Sequence, residues 1–246
     1  MVVRELTVQR ATPTLGRSPV LVAGLMVVLV AWNLLAHVSP PGSQLPISMI
    51  GMLGLVLIAR RMGLEWSDIG LARRNLGNGM RVGAIAAGVL VLVLIAAAAI
   101  PDTRSVLADG RFVGMELPRV LYETLVRIPL AVAFAEEIAF RGVLLGVLMT
   151  RTTVVRAVVI SSALFGLWHI LPGISALESA SGIVEVSSTG AVIALVAVQV
   201  VVTGLAGVVF SWLRLRGGHV ASSILVHAPL NSVSFAIGWF AVQNAL

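Results

Sequence analysis

The stretch Ala131-Val-Ala-Phe-Ala-Glu136-Glu137-Ile-Ala-Phe-Arg141-Gly142 sets two adjacent carboxylates and an arginine inside an apolar run. A charge near the middle of a bilayer costs a few kcal/mol or more, so three in six residues point to a buried polar site rather than a lipid-facing surface. On a helix, Glu137 and Arg141 are i,i+4 neighbours with the carboxylate N-terminal to the cation, the better order for a pair. Glu136 points about 100° away and has no partner on its own helix. One carboxylate is anchored and the other is available for chemistry; the competing reading is an ion cluster that only joins helices.

Two further polar constellations lie in apolar runs. Phe165-Gly-Leu-Trp168-His169 places a histidine with Phe165 one turn away on the same face, and His227-Ala-Pro-Leu-Asn231 places His227 and Asn231 on one face, four apart. Each alone reads as hydrogen-bonded interhelical glue. Together with Glu136 they make a chemically competent set. A carboxylate and an imidazole can deprotonate water directly or through a metal, and a second histidine and an amide can donate to a developing oxyanion. Glu136, His169 and His227 are also a plausible two-histidine, one-carboxylate Zn²⁺ set, in which Glu137 is the base. Asparagine is a poor zinc ligand, so Asn231 favours the metal-free arrangement, with zinc possible but not required. The zincin pattern His-Glu-x-x-His and the Gly-x-Ser-x-Gly elbow are both absent. The chain has no cysteine, which excludes thiol nucleophiles and disulfides. Ser161-Ser162 and Ser222-Ser223 read as helix-packing residues.

The elements that must position these groups are membrane helices. Of 246 residues, 58% are hydrophobic and 11% charged, and several apolar runs approach or exceed about 18 residues. This is an all-α, polytopic bundle of about seven transmembrane helices, expected over 20–38, 46–59, 81–100, 129–150, 157–171, 190–213 and 220–242. Residues 1–18 form an N-terminal cytoplasmic arm, 19–114 the N-terminal transmembrane helices and 115–246 the core. Residues 62–80 read as a polar loop, and 116–128 as an amphipathic lead-in helix that continues into the fourth span or breaks at Pro129. Pro172-Gly173 reads as a stop, with a Ser- and Gly-rich loop over 174–188, and His219 as an interfacial residue.

The formal charge of +6 comes with arginines at the ends of apolar runs, the pattern of topology determinants and not of a nucleic-acid partner. Arg4/10/17, Arg60/61/73/74/81, Arg151/156 and Arg214/216 fall in alternate loops. The positive-inside rule then puts the N-terminus in the cytoplasm and the C-terminus outside a multi-pass cell-membrane protein. Counted from those arginines, Glu136, His169 and His227 lie about 22, 20 and 17 Å along their helices. In a core about 30 Å thick they share one slab, as a site built from three helices must.

Glu-Glu-x-x-x-Arg (Glu136, Glu137, Arg141), Phe-x-x-x-His (Phe165, His169) and His-x-x-x-Asn (His227, Asn231), in this order, resemble the motifs of the CPBP intramembrane proteases. This is the Abi or CAAX-protease family that includes the Ras-converting enzyme. Trp66-Ser-Asp-Ile-Gly-Leu71 is similar to that family's common pre-core segment. The resemblance implies that Glu136 is the catalytic glutamate and that His169 helps it activate water. It further implies that His227 and Asn231 stabilise the oxyanion, and that Glu137, Arg141 and Phe165 support the site. The implied activity is an intramembrane endopeptidase acting on a membrane-associated protein or peptide. Two other classes fit the same polar cluster: a proton-coupled transporter, and a non-catalytic membrane scaffold.

Overall fold

A computed structural model describes residues 19–40, 42–100, 110–180 and 189–244; the expected arm over 1–18 lies outside the described residues. Among the described residues, besides a single 3₁₀ turn at Gly110–Phe112, eight helical segments carry the chain: α1 (Pro19–Val38), α2 (Gln44–Arg61), α3 (Arg73–Ala98), α4 (117–149), α5 (Val154–Trp168), α6 (Ile170–Ala180), α7 (Thr189–Gly217) and α8 (Ala221–Gln243). No strand occurs among the described residues. Among the described residues six stretches are long and apolar enough to cross a membrane: α1, α2, α3, Val154–Ser175, α7 and α8. Helix α4 is outside that set and carries the buried Glu123, Glu136, Glu137 and Arg141. The protein is an all-α, multi-pass membrane bundle.

The lead-in helix does not break at Pro129. It runs on to Met149 through wide π-type turns over Glu123–Phe134 and Ile138–Leu144. Wider turns relieve the clash between the proline ring and the preceding turn, which otherwise kinks or ends a helix. The polar side of this segment is tied down by ions: Glu123, 2% exposed, accepts from Arg119 Nε at 2.8 Å and from Arg127, whose Nη1 donates to Gln44 Oε1 of α2 at 2.6 Å.

Two expectations about helix ends are corrected. The third helix begins at Arg73, not Arg81. Its polar first turns face the start of α8, where Asn75 Nδ2 donates to Gly218 O at 3.2 Å and Asn78 Nδ2 to Gly217 O at 3.0 Å. Pro172-Gly173 does not stop the fifth run: after a joint at His169 the chain is helical again to Ala180. Pro172 falls in the first turn of α6, where its missing N–H has no intrahelical partner to lose. His219 is 8% exposed, accepts from Ala221 N–H through Nδ1 at 3.0 Å and packs over Gly79. Burial, then the nearby Arg214 cation, lowers its pKa below the usual histidine value.

Small residues let the helices close on one another. A Cβ on Gly83 would meet Ser222 Cα at 2.8 Å, and one on Gly166 would meet Val200 O at 2.5 Å, so α3 touches α8 and α5 touches α7 backbone to backbone. Ser161 Oγ donates to Phe140 O at 3.2 Å and Ser222 Oγ to Leu213 O at 2.9 Å, which gives both serine pairs packing partners. The segment 62–72 is not a loose loop: Ile69 is fully buried and Gly146 lies under Asp68 O. Arg214 Nη2 donates to Asp68 O at 2.6 Å, and Val220 N–H donates to Gly70 O at 2.9 Å. Residues 62–72 thereby lock the ends of α4 and α7 to the start of α8.

Candidate active site

Helix α4 presents Glu136 and Glu137 on different sides, and each meets a different set of partners. Glu137 is fully buried, and its Oε1 faces Arg141 Nη1 at 3.0 Å and His227 Nδ1 at 3.0 Å. The Arg141 guanidinium lies 3.9 Å from the Phe165 ring centroid and 5.1 Å from that of Phe210. A desolvated cation over an aromatic face gains about 2 kcal/mol, which offsets part of its burial cost. Phe165 also meets Phe140 edge to face at 5.0 Å and His169 at 4.6 Å. It therefore connects the ion pair to the histidine.

Glu136 faces the other way. Its Oε1 accepts from the Trp168 indole N–H at 3.1 Å, while its Oε2 is buried with no hydrogen-bond partner among the described residues. Trp168 was not singled out from the sequence. The available signal is its indole N–H, which needs an acceptor when buried. Asn33, a polar residue inside the first apolar run, was also missed; its Nδ2 donates to Trp168 O at 2.9 Å and so braces the joint beside His169.

Hydrogen bonds set the tautomers. His169 Nδ1 is 2.8 Å from Phe165 O. A carbonyl only accepts, so Nδ1 carries the proton and the neutral ring keeps its lone pair on Nε2. In the same way Nδ1 of His227 donates to the Glu137 carboxylate, and Nε2 accepts from Asn231 Nδ2 at 3.1 Å. Asn231 has a second amide hydrogen beyond that bond. Phe210 stacks on His227 at 4.8 Å and holds its ring plane.

A cavity of about 560 Å³ brings these groups together: Glu136 of α4, His169 at the α5–α6 joint and Asn231 of α8 all line it. Trp32, Trp168 and Phe235 supply apolar wall, and Gln44, Ser48 and Ser234 supply polar wall. His227, Glu137, Arg141 and Phe165 are behind this wall and do not line it. Of the zinc candidates Glu136, His169 and His227, the last has both ring nitrogens engaged, by Glu137 and by Asn231, and no cluster of three His, Cys, Asp or Glu side chains able to hold a metal occurs among the described residues.

The bundle thus brings an acid, a histidine and an asparagine to the lining of one cavity. Residues 118–233 match the protein family described as type II CAAX prenyl endopeptidase Rce1-like, a segment that contains Glu136, Glu137, Arg141, Phe165, His169, His227 and Asn231. The match supports a CPBP-type CAAX protease core in this part of the chain. No curated protein and no solved structure matches the chain significantly.

Proposed function

We propose that the protein is an endopeptidase that cleaves a peptide bond of a membrane-associated protein or peptide by water activated between Glu136 and His169. Glu136 takes a proton from the water, with the Nε2 lone pair of His169 as the second acceptor, and the oxygen attacks the scissile carbonyl. The second amide hydrogen of Asn231 donates to the oxyanion. Glu136 then passes its proton to the amide nitrogen as the C–N bond breaks. His227 takes part through Asn231: held by Glu137, it orients the amide whose free hydrogen meets the oxyanion. No step requires a metal, and the N-terminus is cytoplasmic as the arginine pattern directs.

The observation that carries this reading is the convergence of Glu136, with an unpartnered carboxylate oxygen, His169, with its proton directed to Nδ1, and Asn231 on one cavity. A proton-coupled transporter that relays protons through both glutamates needs both on its water-filled path, and Glu137 is fully buried and does not line the cavity. The test is peptide release by the purified protein in lipid nanodiscs, compared with Glu136→Gln. Loss of cleavage by a variant that extracts and melts like wild type supports it, and cleavage by both at equal rate removes Glu136 from the chemistry.

A further inference from the structure

We propose that Trp168 is a positioning residue for the reaction: its indole N–H holds Oε1 of Glu136 and leaves Oε2 as the oxygen that meets the water. The inference rests on the proteolytic reading of the site and adds a residue to its machinery.

The partner of this indole sets it apart. A buried tryptophan N–H needs an acceptor, and a neutral one is enough for packing. Trp32 Nε1 donates to Ser48 Oγ at 3.3 Å and Trp239 Nε1 to Met115 O at 2.8 Å, both neutral. Trp168 Nε1 donates at 3.1 Å to the carboxylate that lines the cavity. A hydrogen bond to an ionised acceptor is about twice as strong as a neutral one.

A glutamate carboxylate turns easily about its last torsion, whose energy wells are broad. The bond to Oε1 removes that freedom. Oε2 has no hydrogen-bond partner among the described residues, so it is the oxygen left to accept the proton of the water. That proton rests on Oε2 and leaves from it to the amide nitrogen. The indole is a donor only, so it keeps its own proton throughout.

Several helices fix the ring. Trp168 ends α5 beside the joint at His169, so one dipeptide supplies both the donor to Glu136 and the second acceptor for the water. Its backbone O accepts from Asn33 Nδ2 of α1 at 2.9 Å. Its ring meets Phe140 edge to face at 5.4 Å and Trp32 at 5.0 Å. Phe140 is four residues past Glu136 on α4, so the indole packs on one residue of that face and bonds to the other. Trp32 is itself 3% exposed and lies against Gly51 of α2, where a Cβ would come within 2.7 Å of its Cγ. A ring held this firmly presents its N–H without reorganisation during the reaction, as electrostatic preorganisation requires.

Two substitutions separate the donor from the packing. Trp168→Phe keeps an aromatic ring and removes the N–H. Trp168→Gln removes the ring and restores an N–H donor as many bonds from Cα as the indole nitrogen. Peptide release is measured in nanodiscs at equal amounts of folded protein. Trp168→Phe is expected to lower kcat by about 10–10²-fold with little change in KM, the scale set by a small misplacement of a reacting group. Trp168→Gln is expected to recover part of that loss. A residue that only packs gives the reverse order, with Trp168→Gln the slower enzyme. That order, wild-type kcat in Trp168→Phe, or a loss confined to KM overturns the proposal. The bond itself is read without turnover, from the indole N–H resonance of Trp168. In a chain of five tryptophans this signal is identified by its loss in Trp168→Phe. It is expected to shift in Glu136→Ala, and an unchanged resonance also overturns the proposal. If Trp168→Gln yields no folded protein, the kcat and KM of Trp168→Phe and this resonance decide. A wild-type protein without peptidase activity defeats the proteolytic reading, whereas an active wild type matched by Trp168→Phe defeats this inference alone.

Discussion

His227 and Glu137 are joined by a 3.0 Å hydrogen bond between Nδ1 and Oε1, and the same oxygen faces Arg141 Nη1 at 3.0 Å. One carboxylate oxygen thus fixes a cation on its own helix and an imidazole 90 residues away. This explains why two adjacent glutamates have separate work. Glu137 is consumed by structure and tautomer control, while Glu136 accepts from an indole N–H and keeps its second oxygen without a hydrogen bond among the described residues.

Removing either member of the buried ion pair leaves its partner charged and uncompensated, which costs about 3–5 kcal/mol. Glu137→Gln and Arg141→Ala are therefore expected to lower the yield of folded protein and the melting temperature in detergent, beyond any effect on turnover. Wild-type melting in both variants would show that the pair is not a structural anchor.

Asn231→Ala is expected to lower kcat by about 10²–10³ with little change in KM, the loss typical of one oxyanion donor. His227→Ala removes the acceptor that orients Asn231, so it lowers kcat through the same contact. The double variant is then expected to lose far less than the product of the two single losses. Fully multiplicative losses would mean that the two residues act on substrate independently.

Both nitrogens of His227 are engaged within the protein, so turnover is expected to survive prolonged treatment with a strong chelator. Stoichiometric zinc, with activity lost on chelation and restored by adding the metal back, would move His227 from its place behind Asn231 to a metal.

His219 is buried, and its pKa is lowered in the folded protein first by burial and then by Arg214. The unfolded chain therefore takes up a proton that the folded one refuses as pH falls below about 6.5. The stability this histidine supports is complete above that value and declines below it. Melting temperature in detergent is expected to fall between pH 7 and pH 5 in the wild type and to fall less in His219→Gln. Parallel pH curves for the two proteins would exclude this histidine as the source.

The polar motifs were legible because polar groups are scarce in these spans: Glu136, His169 and Asn231 stand out against apolar neighbours, and helical spacing puts His227 and Asn231 on one side. The all-α, multi-pass class was legible from the length of the apolar runs, six of which are long enough to cross a membrane among the described residues. Residues 73–80 were not, because Asn75 and Asn78 look like loop residues until Gly217 and Gly218 supply carbonyls for them. Pro172 was read as a terminator because the joint at His169, which restarts a helix just before it, has no marker in local composition. The role of Trp168 depends on which helix face meets α4, a tertiary fact that spacing within one segment does not contain. The placement of His227 behind Asn231 depends likewise on the partner that occupies its Nδ1.

The most direct test of the account is the mapping of new peptide N-termini in membranes incubated with purified wild-type protein and with purified Glu136→Gln. The account predicts a defined set of internal cleavages with the wild type and none with Glu136→Gln, at equal amounts of folded protein. The same cleavages at the same rate with Glu136→Gln would contradict it.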